Sequence, residues 1–139
     1  MAAETKIFKN IPTEMQPGWV VMFLEGKNFT SSHIKVLKQL TSVSDKVLAQ
    51  ILNIAPKTLI TYTKDVSNAK IDTQEHVLIL ISLIKHGTEV FGTTESFNKW
   101  LEIENILLDH KKPIAFLTTI SGIRLIDNRL TSMEYGDNV

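Results

Sequence analysis

The chain has 139 residues, of which 43% are apolar, with 15 acidic against 15 basic side chains and no cysteine. That length gives one domain, or two small ones sharing a core, and the apolar fraction is enough to fill an interior. Without cysteine there is no disulfide framework and no sulfur-based metal or nucleophile site, and the balanced net charge singles out no partner class. The distribution is uneven. Residues 30–70 carry six lysines (Lys35, Lys38, Lys46, Lys57, Lys64 and Lys70) against Asp45 and Asp65, whereas residues 71–139 carry ten acidic against six basic side chains. A basic first part and an acidic second part read either as two surfaces for two partners or as ordinary solvated charge. The N-terminus, MAAETKIFKN, has no apolar stretch of signal-peptide length, and no later run reaches the roughly 20 apolar residues of a membrane span. The expectation is a soluble, cytoplasmic protein without a membrane partner.

The predicted elements follow in chain order. Residues 1–16 are polar with scattered Ile and Pro, and read as a loose arm or docking segment. Pro17 suits the first turn of a short helix that Gly26 ends. Trp19 and Phe23 share one face of it, as core cover or as a partner contact. Thr30 or Ser31 caps a second helix, whose Ile34, Val36, Leu37 and Leu40 keep a helical period. Ser44 caps a third, with Val47, Leu48, Ile51 and Leu52 inward. Asn53 tolerates the left-handed turn that follows. Ile54 plugs the core, and Pro56 opens a fourth helix running to Lys64 with Leu59 inward.

Residues 66–70 connect to the longest element, Asp72 to Gly92. Asp72 with Glu75 three residues on reads as a capping box, and Gly92 as a left-handed stop. Between them Val77 to Ile84 is apolar everywhere except Ser82. A helix apolar nearly all round is buried on most sides, so the other helices must pack around it. The alternative for Val77–Leu80 is a buried strand, but the caps and the length favour helix. Beyond Gly92, Thr93 or Thr94 caps a short helix with Phe97, Trp100 and Leu101 on its inner face. Residues 102–112 are irregular or partly helical, with Ile106, Leu107 and Leu108 packing back. Pro113 opens a turn holding Ile114, Phe116 and Leu117. Thr119 caps the last helix, which runs to about Glu134 with Ile120, Ile123, Ile126, Leu130 and Met133 in one stripe. Residues 135–139 form a short polar tail. The fold class is all-α. The chain divides into an N-terminal arm and short helix (1–29), a helix-turn-helix region (30–70) and a helical C-terminal region around the long helix (71–139).

Two short helices joined by a tight turn form a helix-turn-helix pattern, whose second helix enters the major groove in DNA-binding proteins. Here the outward face of that helix would carry Lys57, Thr58, Thr61, Tyr62 and Lys64, with Lys46 on the helix before it. Lysines neutralise phosphates, and Thr and Tyr hydroxyls bond to phosphates or bases. Arg, the commonest specific base reader, does not occur before Arg124. The pattern therefore reads either as a DNA-facing unit or as a packing unit. No pattern of catalysis stands beside it. His33, His76, His86 and His110 make no metal set, H-E-x-x-H and G-x-S-x-G do not occur, and there is no glycine-rich phosphate loop. No enzyme, metal or cofactor is expected.

Several stretches, taken in order, carry a resemblance. They are Leu24-Glu25-Gly26, Leu40-Thr41 leading into Val43 to Ala49, and Ile51-Leu52-Asn53-Ile54-Ala55-Pro56-Lys57-Thr58-Leu59. Glu89-Val90-Phe91-Gly92, Trp100-Leu101, Pro113-Ile114 with Leu117, and Met133-Glu134-Tyr135-Gly136 follow. Together they resemble the Xre/MbcA/ParS group of type II antitoxins, partners of RES-domain toxins, from about Phe23 to Gly136. The resemblance implies a homodimeric antitoxin with a helix-turn-helix (Xre-like) region followed by a helical toxin-binding region. Its C-terminal end would reach the active site of a toxin that consumes NAD or ADP-ribosylates, and the complex would bind operator DNA and repress its own operon. The toxin-binding residues so implied are Arg124, Arg129, Met133, Glu134, Tyr135 and Gly136, with residues 137–139 beyond. Tyr135 could instead close the last helix against its own core. Where many relatives carry arginines after the Thr-Leu of the fourth helix, this chain has Ile60-Thr61-Tyr62-Thr63. That departure bears on operator binding and not on toxin binding. A free-standing helix-turn-helix transcriptional regulator is the alternative.

Overall fold

The computed structural model describes residues 2–136, and its regular elements are helices: α1 (Ala2–Asn10), α2 (Pro17–Glu25), α3 (Ser31–Leu40), α4 (Asp45–Ile51), α5 (Pro56–Tyr62), α6 (Ile71–Phe91), α7 (Thr94–Leu101) and α8 (Ile120–Glu134). Two 3₁₀ turns, Ile106–Leu108 and Pro113–Phe116, lie between α7 and α8. A lone antiparallel bridge pairs Asn105 with Lys111. Among the described residues no single helix is long and apolar enough to cross a membrane.

The 21-residue α6 spans about 31 Å at 1.5 Å per residue. Helices α2, α3, α7 and α8 pack around it, and α1 lies on α3. Val77, Leu78, Leu80, Ile81, Leu83 and Ile84 are all buried. Burying each such side chain contributes about 1.5–3 kcal/mol before the ordering entropy is set against it. One hydrophobic core runs from Ile11 through the helix-turn-helix to Leu130.

A helix enclosed this far must satisfy each polar group it carries, because burying an unbonded hydroxyl or amine costs several kcal/mol. Ser82, the one polar residue in the apolar run, donates to the Pro12 carbonyl at 2.7 Å. Lys85 Nζ reaches the carbonyls of Phe8, Lys9 and Ile11 at 2.8, 3.1 and 2.7 Å. That cation sits where the C-terminal end of α1 leaves carbonyls without helical partners and favours positive charge. Of the two expectations for residues 1–16, a loose arm or a docking segment, the structure shows the docked one: residues 2–10 are a helix and Ile11 is in the core. The order of this segment is a tertiary effect that its polar local composition does not announce.

Local chemistry sets most boundaries. Ser44, Thr93 and Thr119 each accept from a first-turn N–H of α4, α7 and α8. Thr30 caps α3 in a capping box whose third-position partner is His33. Asn53 takes the left-handed turn at φ 60°, and Gly92 ends α6 at φ 89°. The start of α6 differs from the expected Asp72 cap. Lys70 holds the N-cap position without a side-chain bond, and Asp72 falls inside the first turn. The Gln74 amide reaches back to the Ala69 carbonyl at 2.9 Å and secures this earlier start, while Asp72 still meets the positive end of the helix. The expected packing of Ile106 and Leu107 is also reversed: only Leu108 is buried, and the other two are 70% and 52% exposed. The Asn105 side chain accepts from Leu107 N–H at 2.9 Å and holds the turn in that orientation.

Helices α6 and α7 pack tightly at Gly87. A Cβ there would lie 2.4 Å from the Phe97 ring, which is fully buried against Phe91 and Trp100. Gly87→Ala is therefore expected to lower unfolding free energy by about 1–3 kcal/mol, as overpacking does. Urea unfolding followed by tryptophan fluorescence measures it, and an unchanged midpoint would contradict this packing.

Candidate functional site

The last helix presents two different sides. Ile123, Ile126 and Leu130 face the core. Arg124, Asn128, Thr131 and Tyr135, spaced i, i+4, i+7 and i+11, form one exposed stripe. Tyr135 ends the stripe at 85% exposure, so it does not close the helix against its own core. Gly136, also exposed, turns the chain at φ 91°. Residues 137–139 of the expected tail lie outside the described residues.

The sequence-predicted toxin contacts are split by this geometry. Arg124, Tyr135 and Gly136 are solvent-facing. Met133 is half-buried and packs on the core, and Arg129 is half-buried on a different side of the helix from Arg124. Arg124 and Asp127 also line a cleft of about 170 Å³ between the N-terminal segment, α6 and α8, floored by Val20, Ile79 and Leu83.

Glu134 turns inward to His86. The His86 ring donates from Nδ1 to Asp127 Oδ1 at 2.7 Å and from Nε2 to Glu134 Oε1 at 2.6 Å. Two nitrogens that both face carboxylate oxygens must both carry protons, which makes this buried ring an imidazolium. The Asp127 hydrogen bond is the main cause that raises its pKa to about 9. Burial acts against it, and the Glu134 bond and both charges add to the rise. The other buried histidines are the reverse case. His33 Nδ1 accepts from the Thr30 N–H at 3.0 Å, and His76 Nε2 bonds the Leu117 carbonyl at 2.8 Å. Burial lowers the pKa of both. His76 and His86 both turn toward the C-terminal segment, one near each end of α8. Local sequence could not reveal the clamp, because Asp127 and Glu134 stand 41 and 48 residues from His86.

The helix-turn-helix face is only partly as expected. Lys46, Lys57, Thr61 and Lys64 are exposed and Thr58 is half-buried. The Thr61 hydroxyl donates to the Lys57 carbonyl at 3.2 Å. Tyr62 is a correction: it is 8% exposed and belongs to the core, so it is not on the outward face of α5. Its place one turn after the buried Leu59 puts it on the inner side of α5. The turn is itself anchored, since the Asn53 amide donates to the Thr118 carbonyl just before α8 at 3.0 Å. Among the described residues no group of three or more His, Cys, Asp or Glu could hold a metal.

The histidine states set the pH dependence of stability. His86 has a folded pKa above its ordinary value, so its contribution is complete below about pH 6.5 and is lost as pH rises toward about 9. His33 and His76 have lowered values, so their contribution is present above about pH 6.5 and is lost as pH falls below it. Unfolding midpoints in urea should therefore fall on both sides of near-neutral pH, and His86→Gln should remove the alkaline fall. A wild-type midpoint that is flat from pH 7 to 10 would contradict the clamp.

Residues 86–136 match the family model described as the antitoxin Xre/MbcA/ParS C-terminal toxin-binding domain. The match begins at His86 itself, ends at Gly136 and contains the whole clamp and the exposed stripe. No curated protein matches the chain.

Proposed function

The C-terminal region of this chain belongs to the Xre/MbcA/ParS antitoxin family, and from that premise we propose that the protein neutralises a RES-domain toxin by seating the end of α8 at the toxin's active site. The observation that carries the reading is Tyr135, 85% exposed on the last turn of the matched segment. An exposed tyrosine has an apolar ring and a hydroxyl, suits a nucleotide pocket, and has few rotamers to freeze on binding. Arg124, three turns earlier on the same face, extends the contact along the helix. Blocking a pocket needs no catalysis by the blocker, so an antitoxin of this kind needs no active site of its own. The toxin is taken to consume NAD or to ADP-ribosylate its target, on the family resemblance of the whole chain. The same reading makes the antitoxin a homodimer acting in the cytoplasm.

Tyr135→Ala tests the tail. Because Tyr135 is exposed, the unfolding midpoint should not change. Toxin affinity should fall by about 2 kcal/mol, as for a tyrosine at the centre of an interface. The readout is titration against the RES-domain protein recovered with N-terminally tagged full-length chain from its host. Equal affinity would remove the tail from the interface. This variant is cleaner than truncation after Ser132, which also removes Glu134 from the clamp.

Promoter binding and repression of the operon form the second role in this reading. It is supported by the exposed Lys46, Lys57 and Lys64 on and beside α5. Tyr62 has no part in it. Lys57→Ala with Lys64→Ala should weaken operator binding and reduce the slope of log K against log salt by about 1.8, since each phosphate contact contributes roughly 0.9. A gel-shift series over salt measures the slope, and an unchanged slope would take α5 off the DNA.

A further inference from the structure

Glu134 and Tyr135 are neighbours with opposite surroundings. Glu134 is tied to the buried His86 ring, while Tyr135 stands in solvent. The last turn of a helix frays unless its end groups find partners. Cations stabilise that end, where the backbone dipoles leave partial negative charge. Helix α8 has no basic side chain in its last turn. The cation comes instead from α6, as His86.

We propose that His86 is the positioning residue of the toxin-binding tail: bonded to Asp127 and to Glu134, it fixes the last turn of α8 and so holds Tyr135 and Gly136 in the orientation that the toxin reads. This rests on the tail reading given above. The clamp has two points, one at the middle of the helix and one at its end, so it sets both the rotation of α8 on α6 and the end of its last turn. The charges that act on the ring come from Asp127 and Glu134 of α8. On its own helix, Lys85 turns away to the carbonyls of α1, and Glu89 is exposed. From α7 the apolar Phe97 packs against the neighbouring Gly87. Removing the ring's second proton would leave one nitrogen lone pair facing a carboxylate, a repulsive pair in place of an ion pair. Tail order therefore follows the charge of this one side chain.

The test uses the full chain and reads two quantities. The first is amide hydrogen exchange over residues 131–136 in the free protein, corrected for intrinsic rate. The second is affinity for the RES-domain toxin used in the Tyr135 experiment. His86→Gln should speed tail exchange and weaken toxin binding by about tenfold or more, the scale of a lost charge-assisted hydrogen bond. Wild-type affinity should fall above about pH 9. His86→Arg, permanently charged with several donors, should restore slow exchange and remove that pH dependence, which a purely space-filling role would not do. Glu134→Ala, at a side chain 43% exposed, keeps the test open should the core variants fail to fold. It should loosen the tail in the free protein with Tyr135 intact. Unchanged tail exchange in Glu134→Ala or in a folded His86→Gln would overturn the proposal, as would a loosened tail with undiminished toxin affinity. Failure of the tail reading appears separately, as Tyr135→Ala binding the toxin normally while the exchange results stand.

Discussion

The constraint on which this structure depends is the enclosure of α6. A helix surrounded by other helices cannot leave a hydroxyl, an ammonium or an imidazole without a partner. Four polar side chains of α6, His76, Ser82, Lys85 and His86, have become ties to other parts of the chain. Ser82 and Lys85 hold the N-terminal segment. His76 holds the turn before α8, and His86 holds the end of α8. Apolar burial supplies the bulk of the stability, but it is non-directional. The four polar ties fix the N-terminal segment and α8 to the central helix at particular points.

The helix-turn-helix region follows the same logic. Its helices share the core that surrounds α6, and its turn is bonded to the backbone just ahead of α8. Tyr62, which could have faced solvent from a seven-residue helix, is instead part of that core. The lysines remain on the outer side. The outer surface of α4 and α5 thus carries charge, while the aromatic serves packing. The region that carries the antitoxin match and the region that carries the lysines are one folded body.

In the last helix the division between packing and presentation is sharp. The apolar stripe of Ile123, Ile126 and Leu130 was legible from spacing alone, as was its Thr119 cap. The exposed stripe from Arg124 to Tyr135 is the complement of that spacing. Which of the terminal residues would be free was not legible, because Met133, Glu134, Tyr135 and Gly136 are adjacent and carry no periodic signal among themselves. The structure turns Glu134 to His86 and leaves Tyr135 outside, so one of two neighbouring candidates shapes the site while the other is offered by it.

The sequence by itself determined the helical class, the long apolar helix and its Gly92 stop, and the caps at Ser44 and Thr119, and it narrowed two further caps to Thr30 or Ser31 and to Thr93 or Thr94. It also determined the left-handed turn at Asn53. All of these are decided within about four residues, by backbone geometry and by hydrogen bonds to first-turn amides. Tertiary structure alone decided that residues 2–10 are a docked helix, whereas the start of α6 at Ile71 is held by the local bond from Gln74 to Ala69. Tertiary structure also decided that Tyr62 faces inward and that His86 is a cation between Asp127 and Glu134, while the outward turn of Ile106 and Leu107 is held locally by Asn105. The tertiary outcomes depend on groups brought together from 41 to 77 residues away, or on which side of a short helix meets the core. A charged imidazole inside a protein needs a compensating charge and an acceptor for each N–H; here folding delivers a carboxylate to both nitrogens, and no local pattern records that delivery.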